Sequence, residues 1–296
     1  MEPRLSANNF LTIHGKLTIV GREPDGDSIR FIPNDFRTLL HLPNASRLRP
    51  ASDGSLQLRI DGIDAPETHF LGQAQPQGVS ARTAFLNYVG FSNVVFDAAG
   101  SVTASTPSQI PATNFVSLLD PYGRPVSYLI AGRTVSQKEG TMGTLDDQML
   151  DQTVNMQMLL SGAAYVTIYS STPAAQREYL FAKAKLAQEK GVGIWDADKT
   201  SRFELTSHDS IGPDSQNLIL PKLFRRATSY LDAVAGGTAV GFTEWLKSTI
   251  ADEHHSQDDY VIRADGSTVR LDTLIEHTGN IITTQLDLLS DVFIEQ

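Results

Sequence analysis

The sequence predicts an α+β fold: a small five-stranded β-barrel with flanking helices, followed by a smaller, mostly helical C-terminal extension. Three observations lead there. Three strand-like runs precede any helical one, and five strands and three helices are complete by Trp195 without the regular βαβ alternation of a doubly wound sheet. After Trp195 the texture changes to a polar stretch and then to new helical patterns. A chain of 296 residues with 41% hydrophobic content can bury a core of this size.

The first two strands come from GKLTIVGREPDGDSIRFI, where apolar and polar residues alternate on both sides of the turn residues Pro24, Asp25 and Gly26. A polar insertion at about 34–54 follows, and SLQLRIDGIDA resumes a strand. In GVSARTAFLNYVG, Ala81, Ala84, Phe85, Tyr88 and Val89 recur at helical spacing, and SNVVFDA is a short strand. The Ser, Thr and Pro content from about 98 to 114 predicts a second insertion, a surface loop. LLDPYGRPVSYLIAG places a strand after a DPYG turn. TVNMQMLLSGAAYVTIY reads as a helix ending near Gly162 and leading into a β-rich segment. TPAAQREYLFAKAKLAQEKGVGIW is a helix with Thr172 as N-cap, Pro173 at the first helical position and Gly191 as C-cap. DADKTSRFELTSHDSIGPDSQ is linker-like, which divides the chain into 1–199 and 200–296. Beyond it PKLFRRATSYLDAVA and GFTEWLKSTIA are helices, and YVIRADGSTVRL is a hairpin around Asp265 and Gly266.

Composition narrows the function classes. Without cysteine there is no disulfide scaffold and no thiolate metal site, so any metal must be held by oxygen or imidazole. The net charge of −10 argues against coating nucleic acid by bulk electrostatics. From Arg202 onward 7 Lys or Arg face 15 Asp or Glu, a net of −8, which leaves −2 for the rest of the chain. No apolar run approaches the roughly 18 residues that span a bilayer, and the first residues lack a secretory pattern, so the expected setting is cytoplasmic, with no membrane partner.

One stretch concentrates chemistry. In LRIDGIDAPET an apolar strand stops in carboxylates and a proline. Arg59 and Asp64 differ by an odd number of residues, so a regular strand would point them to opposite faces, and Gly62 supplies a bend that can bring them together. Pro66 biases Ala65 toward an extended backbone, presenting its carbonyl as an oxygen donor beside Glu67. PDGDS adds Asp25 and Asp27, and DPYGR adds Arg124, a second guanidinium suited to a phosphate. Taken singly, each piece reads as a turn, a strand-end ion pair or a solvated loop; their joint occurrence favours a site.

PDGDS, RIDGIDAPET and DPYGR, in that order, resemble the staphylococcal nuclease (thermonuclease) family, from about Lys16 to Trp195. The resemblance extends through NMQMLLSGAAYVTIY and EYLFAKAKLAQEKGVGIW. It implies an OB-fold barrel that hydrolyses phosphodiester bonds of DNA or RNA. It further implies calcium (Ca2+) held by Asp27, Asp64 and the Ala65 carbonyl, Glu67 positioning the attacking water, and Arg59 and Arg124 gripping the phosphate. Tyr122 matches an aromatic beside the phosphate, and Tyr169 is a candidate substrate contact, although Tyr165 and Tyr169 are out of register with the family's paired tyrosines. Products ending in 3′-phosphates are the family's outcome. Pro121 stands where the best-known member has a lysine, removing one phosphate contact. The acidic balance favours accessible or single-stranded substrates. The rival expectation is a non-catalytic module on the same barrel that binds nucleic acid or protein.

Other features carry less. His254 and His255 read as a solvated loop, Arg225 and Arg226 as an ordinary charged helix face, and Trp195 and Trp245 as packing anchors. The acidic extension is expected to restrict the catalytic domain or to dock a partner.

Overall fold

The structure, a computed structural model, describes residues 9–249 and 260–294, so His254 and His255 lie outside the described residues. The first part of the chain runs β1 (Phe10–Thr18), β2 (Ser28–Pro33), β3 (Leu56–Ile60), β4 (Ile63–Asp64), α1 (Gly78–Val89), β5 (Ser92–Phe96), β6 (Val102–Thr106), β7 (Gln109–Leu119), β8 (Pro125–Ala131) and β9 (Met142–Gly143). It continues with α2 (Asp147–Leu150), α3 (Val154–Leu160), β10 (Tyr165–Val166), β11 (Ile168–Tyr169), α4 (Ala174–Glu189) and α5 (Ile194–Ala197).

Five strands close a barrel: β1 pairs with β2, β2 with β3, β3 with β8, β8 with β7, and β7 returns to β1. All these pairs are antiparallel except β3 with β8, and closure satisfies both backbone edges. Alternation drives the closure by turning Leu11, Ile13, Leu17, Ile29, Phe31, Leu56 and Leu58 into a common core with Phe115 and Tyr128. The helices α1, α3 and α4 pack in series against it through Phe85, Met156, Met158 and Leu180.

Buried Asn155, on α3, fixes one strand end. Its side-chain amide donates to the carbonyls of Asp61 (2.8 Å) and Ser127 (3.0 Å), and its oxygen accepts from the Leu129 amide (3.0 Å). A fully satisfied buried amide is directional, so it holds the end of β3 against β8.

Three local expectations are corrected. The stretch 98–114 is not a loop: it forms β6, which pairs back on β5, and the first half of β7, because Val102, Ile110 and Ala112 are buried between its polar residues. Its tip reaches the PDGDS hairpin, where the Gly21 amide donates to the Val102 carbonyl (2.7 Å) and the Ser101 hydroxyl to Glu23 (2.9 Å). The helix expected from Thr172 starts at Ala174, with Pro173 in the capping position and no side-chain cap. The linker-like residues after Trp195 carry β12 (Arg202–Glu204) and α6 (His208–Ile211), and bury Phe203, Leu205 and Ile211. The insertion 34–54 is polar outside but buries Leu39, Leu42 and Leu48, and its Arg47 carbonyl lies against Gly123.

Beyond α6 come α7 (Pro221–Ala235), α8 (Phe242–Thr249), β13 (Tyr260–Ile262), β14 (Thr268–Arg270), β15 (Ile275–Thr278), β16 (Ile281–Thr284) and β17 (Val292–Phe293). The expected β13–β14 hairpin is present. Leu223, Phe224, Phe242, Val261 and Ile282 form a second core that also takes in Tyr165 and Ile194 from the first part of the chain. One further link joins the parts, the parallel pairing of β17 with β11; within the first part the Tyr165 hydroxyl donates to Asp198 (2.8 Å) while its ring meets Trp195 edge-on at 5.6 Å. Among the described residues no helix is long and apolar enough to cross a membrane.

Candidate active site

The site forms where β3 ends. Gly62, at φ +74, makes the turn between β3 and β4 that a residue with a side chain would resist, and Asp64 then enters β4, paired with Tyr165 of β10. The PDGDS turn approaches from the other side. The amides of Asp27 (3.1 Å) and Ser28 (2.7 Å) donate to Asp25 Oδ1, so Asp25 shapes the turn. A Cβ on Gly26 would come within 2.5 Å of the Ala65 methyl, so only glycine lets this turn pack on the Asp-Ala-Pro segment. Asp27 is brought to Ala65, whose amide lies 3.3 Å from Asp27 Oδ2.

Glu67 is fixed through its backbone. Its amide donates to Gln75 Oε1 (3.1 Å) and its carbonyl accepts from the Gln75 amide (2.9 Å), while Gln75 Nε2 donates to the Ile219 carbonyl (2.8 Å). Gln75 is buried and ties the Glu67 loop to the residue pair before α7. Arg59 lies 4.7 Å from the centroid of the Tyr169 ring. Burial works against the Arg59 charge, but Tyr169, Asp64 and Asp27 outweigh it and hold the guanidinium strongly protonated. Tyr169 is also approached by Lys222, at 5.7 Å from the ring centroid, and by the Phe293 ring, at 6.2 Å. Burial raises the Tyr169 phenol, yet Lys222 and Arg59 bring it below its usual range.

The residue missed by sequence reasoning is Arg225. Its Nη1 and Nη2 grip both oxygens of Asp64 (3.1 and 3.0 Å), and Nη1 also reaches Glu67 Oε1 at 2.5 Å. The Asp64 side chain is 8% exposed and that of Glu67 17%, so this is a largely desolvated, bidentate pairing. Asp64 and Glu67 hold Arg225 charged against the cost of its burial. For Glu67, burial dominates and pushes the carboxyl up to about 7, with Arg225 pulling the other way. Burial, with Asp25, Asp64 and Glu67 nearby, also raises Asp27.

The structure therefore brings Asp27, Asp64, Ala65, Glu67 and Arg59 to one rim, with Tyr169 beneath Arg59. Arg124 and Tyr122 sit apart, on the β7–β8 turn. Arg124 donates from Nε to the buried Asp120 carboxylate (2.6 Å) and lies 5.6 Å from the ring of Tyr122, which is 78% exposed. Because Val126 is the register partner of Arg59, Arg124 lies near the same part of the barrel while being anchored on its own turn. Carboxylates and a backbone carbonyl are hard oxygen donors, the type a calcium-sized cation takes with water completing its shell. The residue types fit such an ion, but both Asp64 oxygens are given to Arg225. Among the described residues no group of three or more His, Cys, Asp or Glu side chains is arranged to hold a metal.

A closed five-stranded barrel with helices, carrying clustered carboxylates and a guanidinium at one rim, defines an OB-fold-type domain with a candidate site at its rim. Residues 57–197 match the model of the family described as staphylococcal nuclease homologue, so the chain carries a domain of that family with a C-terminal extension beyond it. No curated protein matches the chain.

Proposed function

We propose that the protein is a metal-dependent nuclease that hydrolyses phosphodiester bonds of DNA or RNA. The carrying observation is the convergence of Asp27, Asp64, Glu67 and Arg59 on one rim of a staphylococcal nuclease-type barrel. In this reading residues 1–199 carry the chemistry and 200–296 control access to it. Asp27, Asp64 and the Ala65 carbonyl would hold a divalent cation, calcium first among those to test, once Arg225 releases Asp64. That ion, when bound, supplies positive charge to the phosphoryl oxygens.

The chain's own residues do the rest. Glu67, its backbone fixed by Gln75, aligns a water for in-line attack and accepts its proton. Arg59, kept charged and oriented by Tyr169, receives the negative charge that grows on the phosphoryl group. Arg124 grips the phosphate after exchanging Asp120 for it, and exposed Tyr122 lies against the nucleotide. Departure of the 5′ oxygen leaves a 3′-phosphate.

Labelled single-stranded and duplex DNA and RNA, incubated with calcium or with chelator, test this reading. Calcium-dependent cleavage, strongest on single strands and abolished in Glu67→Gln, is the expected result. The Arg225 grip on Asp64 favours one second reading, a non-catalytic module that binds nucleic acid or protein. That reading is adopted if the intact protein and an Arg225 variant both fail to cleave with calcium, magnesium or manganese.

A further inference from the structure

Arg225 reaches the carboxylates from α7, 161 residues beyond Asp64 and 158 beyond Glu67. Its pairing is specific. Both terminal nitrogens are used, both Asp64 oxygens accept, and one nitrogen is shared with Glu67. The start of the helix is pinned on this side of the barrel by two neighbours. The Ile219 carbonyl accepts from Gln75, and Lys222, three positions before Arg225 on the same flank, lies 4.9 Å from the Phe293 ring centroid. The remaining face of α7 is fixed by Leu223, Phe224, Ala227 and Leu231 in the second core. The guanidinium is thus delivered by a docked element.

A divalent cation and a guanidinium compete for the charge of the same Asp64 carboxylate, and placing both there would set like charges against each other. We propose that Arg225 is the resident cation of this site, and that a divalent metal binds Asp64 only in exchange for it. The C-terminal region then sets the metal affinity of the site. This rests on the nuclease reading above, in which Asp64 is a metal ligand. Exchange does not require α7 to leave: the Arg225 side chain is 25% exposed and so already touches solvent where it stands. Nor does it strand Asp64, because the incoming ion replaces the charge that leaves, avoiding the cost of an unpaired buried carboxylate.

The test is calorimetric titration of calcium into the full chain and into Arg225→Gln, Arg225→Lys and Arg226→Gln, with a melting curve to establish that each is folded. Arg225→Gln should lower the calcium Kd by about tenfold or more, the scale of a charge-assisted pair. Arg225→Lys keeps the charge and the folded state but loses the fork, and should tighten binding by a smaller factor. Arg226→Gln removes the same charge one residue away and should change Kd by less than about twofold. Unchanged or weaker binding in both Arg225 variants overturns the exchange while leaving the nuclease reading intact. Equal tightening in Arg226→Gln also overturns it, since a general field effect would then account for the result. If calcium and manganese bind none of the four proteins, the metal-dependent reading fails, and the exchange with it.

Discussion

Glu67 combines a pinned backbone with a contested side chain. Gln75 holds its amide and carbonyl, while Arg225 attracts the carboxylate that burial tends to protonate. Replacing it by Gln preserves shape and the Gln75 contacts but, in the proposed nuclease reading, removes the proton acceptor. Turnover should fall by about 10²- to 10⁴-fold, as expected for loss of a general base, in single-turnover cleavage assays. Arg59→Ala should lower turnover by about 10²- to 10³-fold, read in the same assay. At Asp53 the Ser55 hydroxyl and amide, together with Arg22, hold the carboxyl down to about 2. A depressed carboxyl stabilises the fold above its unfolded pKa of about 4 and loses that contribution as pH falls toward about 2. Melting temperatures of Asp53→Asn and the parent should therefore differ above pH 4 and converge as pH approaches 2. The cluster of Arg59, Asp64 and Glu67 was legible because nine residues and one glycine bend bring it together. Arg225 was not, since no local pattern relates a helix arginine to carboxylates so distant in sequence.

Among the elements, long apolar-periodic segments were the most readable: α1, α3, α7 and the hairpins at Asp25 and Asp265 fall where periodicity and turn residues put them. The 98–114 stretch was not, because Ser, Thr and Pro resemble loop chemistry unless one knows which alternate positions, such as Val102 and Ile110, meet a core. The Asn155 clamp illustrates the same limit. A lone asparagine on a helix announces nothing, yet it serves two carbonyls and one amide at the strand end that carries the site. Asn155→Ala should destabilise the protein by about 3 kcal/mol, since buried backbone groups of Asp61 and Leu129 lose their partner. Urea denaturation measures this. An unchanged midpoint would mean that the clamp contributes nothing to stability.

At the scale of the whole molecule, the second core includes Tyr165 and Ile194, and β11 takes β17 as its neighbour. Composition alone showed an acidic extension; only the tertiary pairing shows it completing the barrel's surroundings. A chain ending at Lys199 would expose Tyr165, Ile168 and the β11 edge, and it should lose the sharp melting transition and associate in size-exclusion chromatography. A monomeric fragment melting as sharply as the full chain would refute this.

The chain-order separation between Asp64 and Arg225 also has a temporal consequence. Synthesis runs from the N-terminal side, so the carboxylates of Asp27, Asp64 and Glu67 exist before α7 has been made. During that interval the carboxylate cluster has Arg59, but not Arg225, as its counter-charge. Ions of the surrounding fluid therefore reach it ahead of the Arg225 guanidinium.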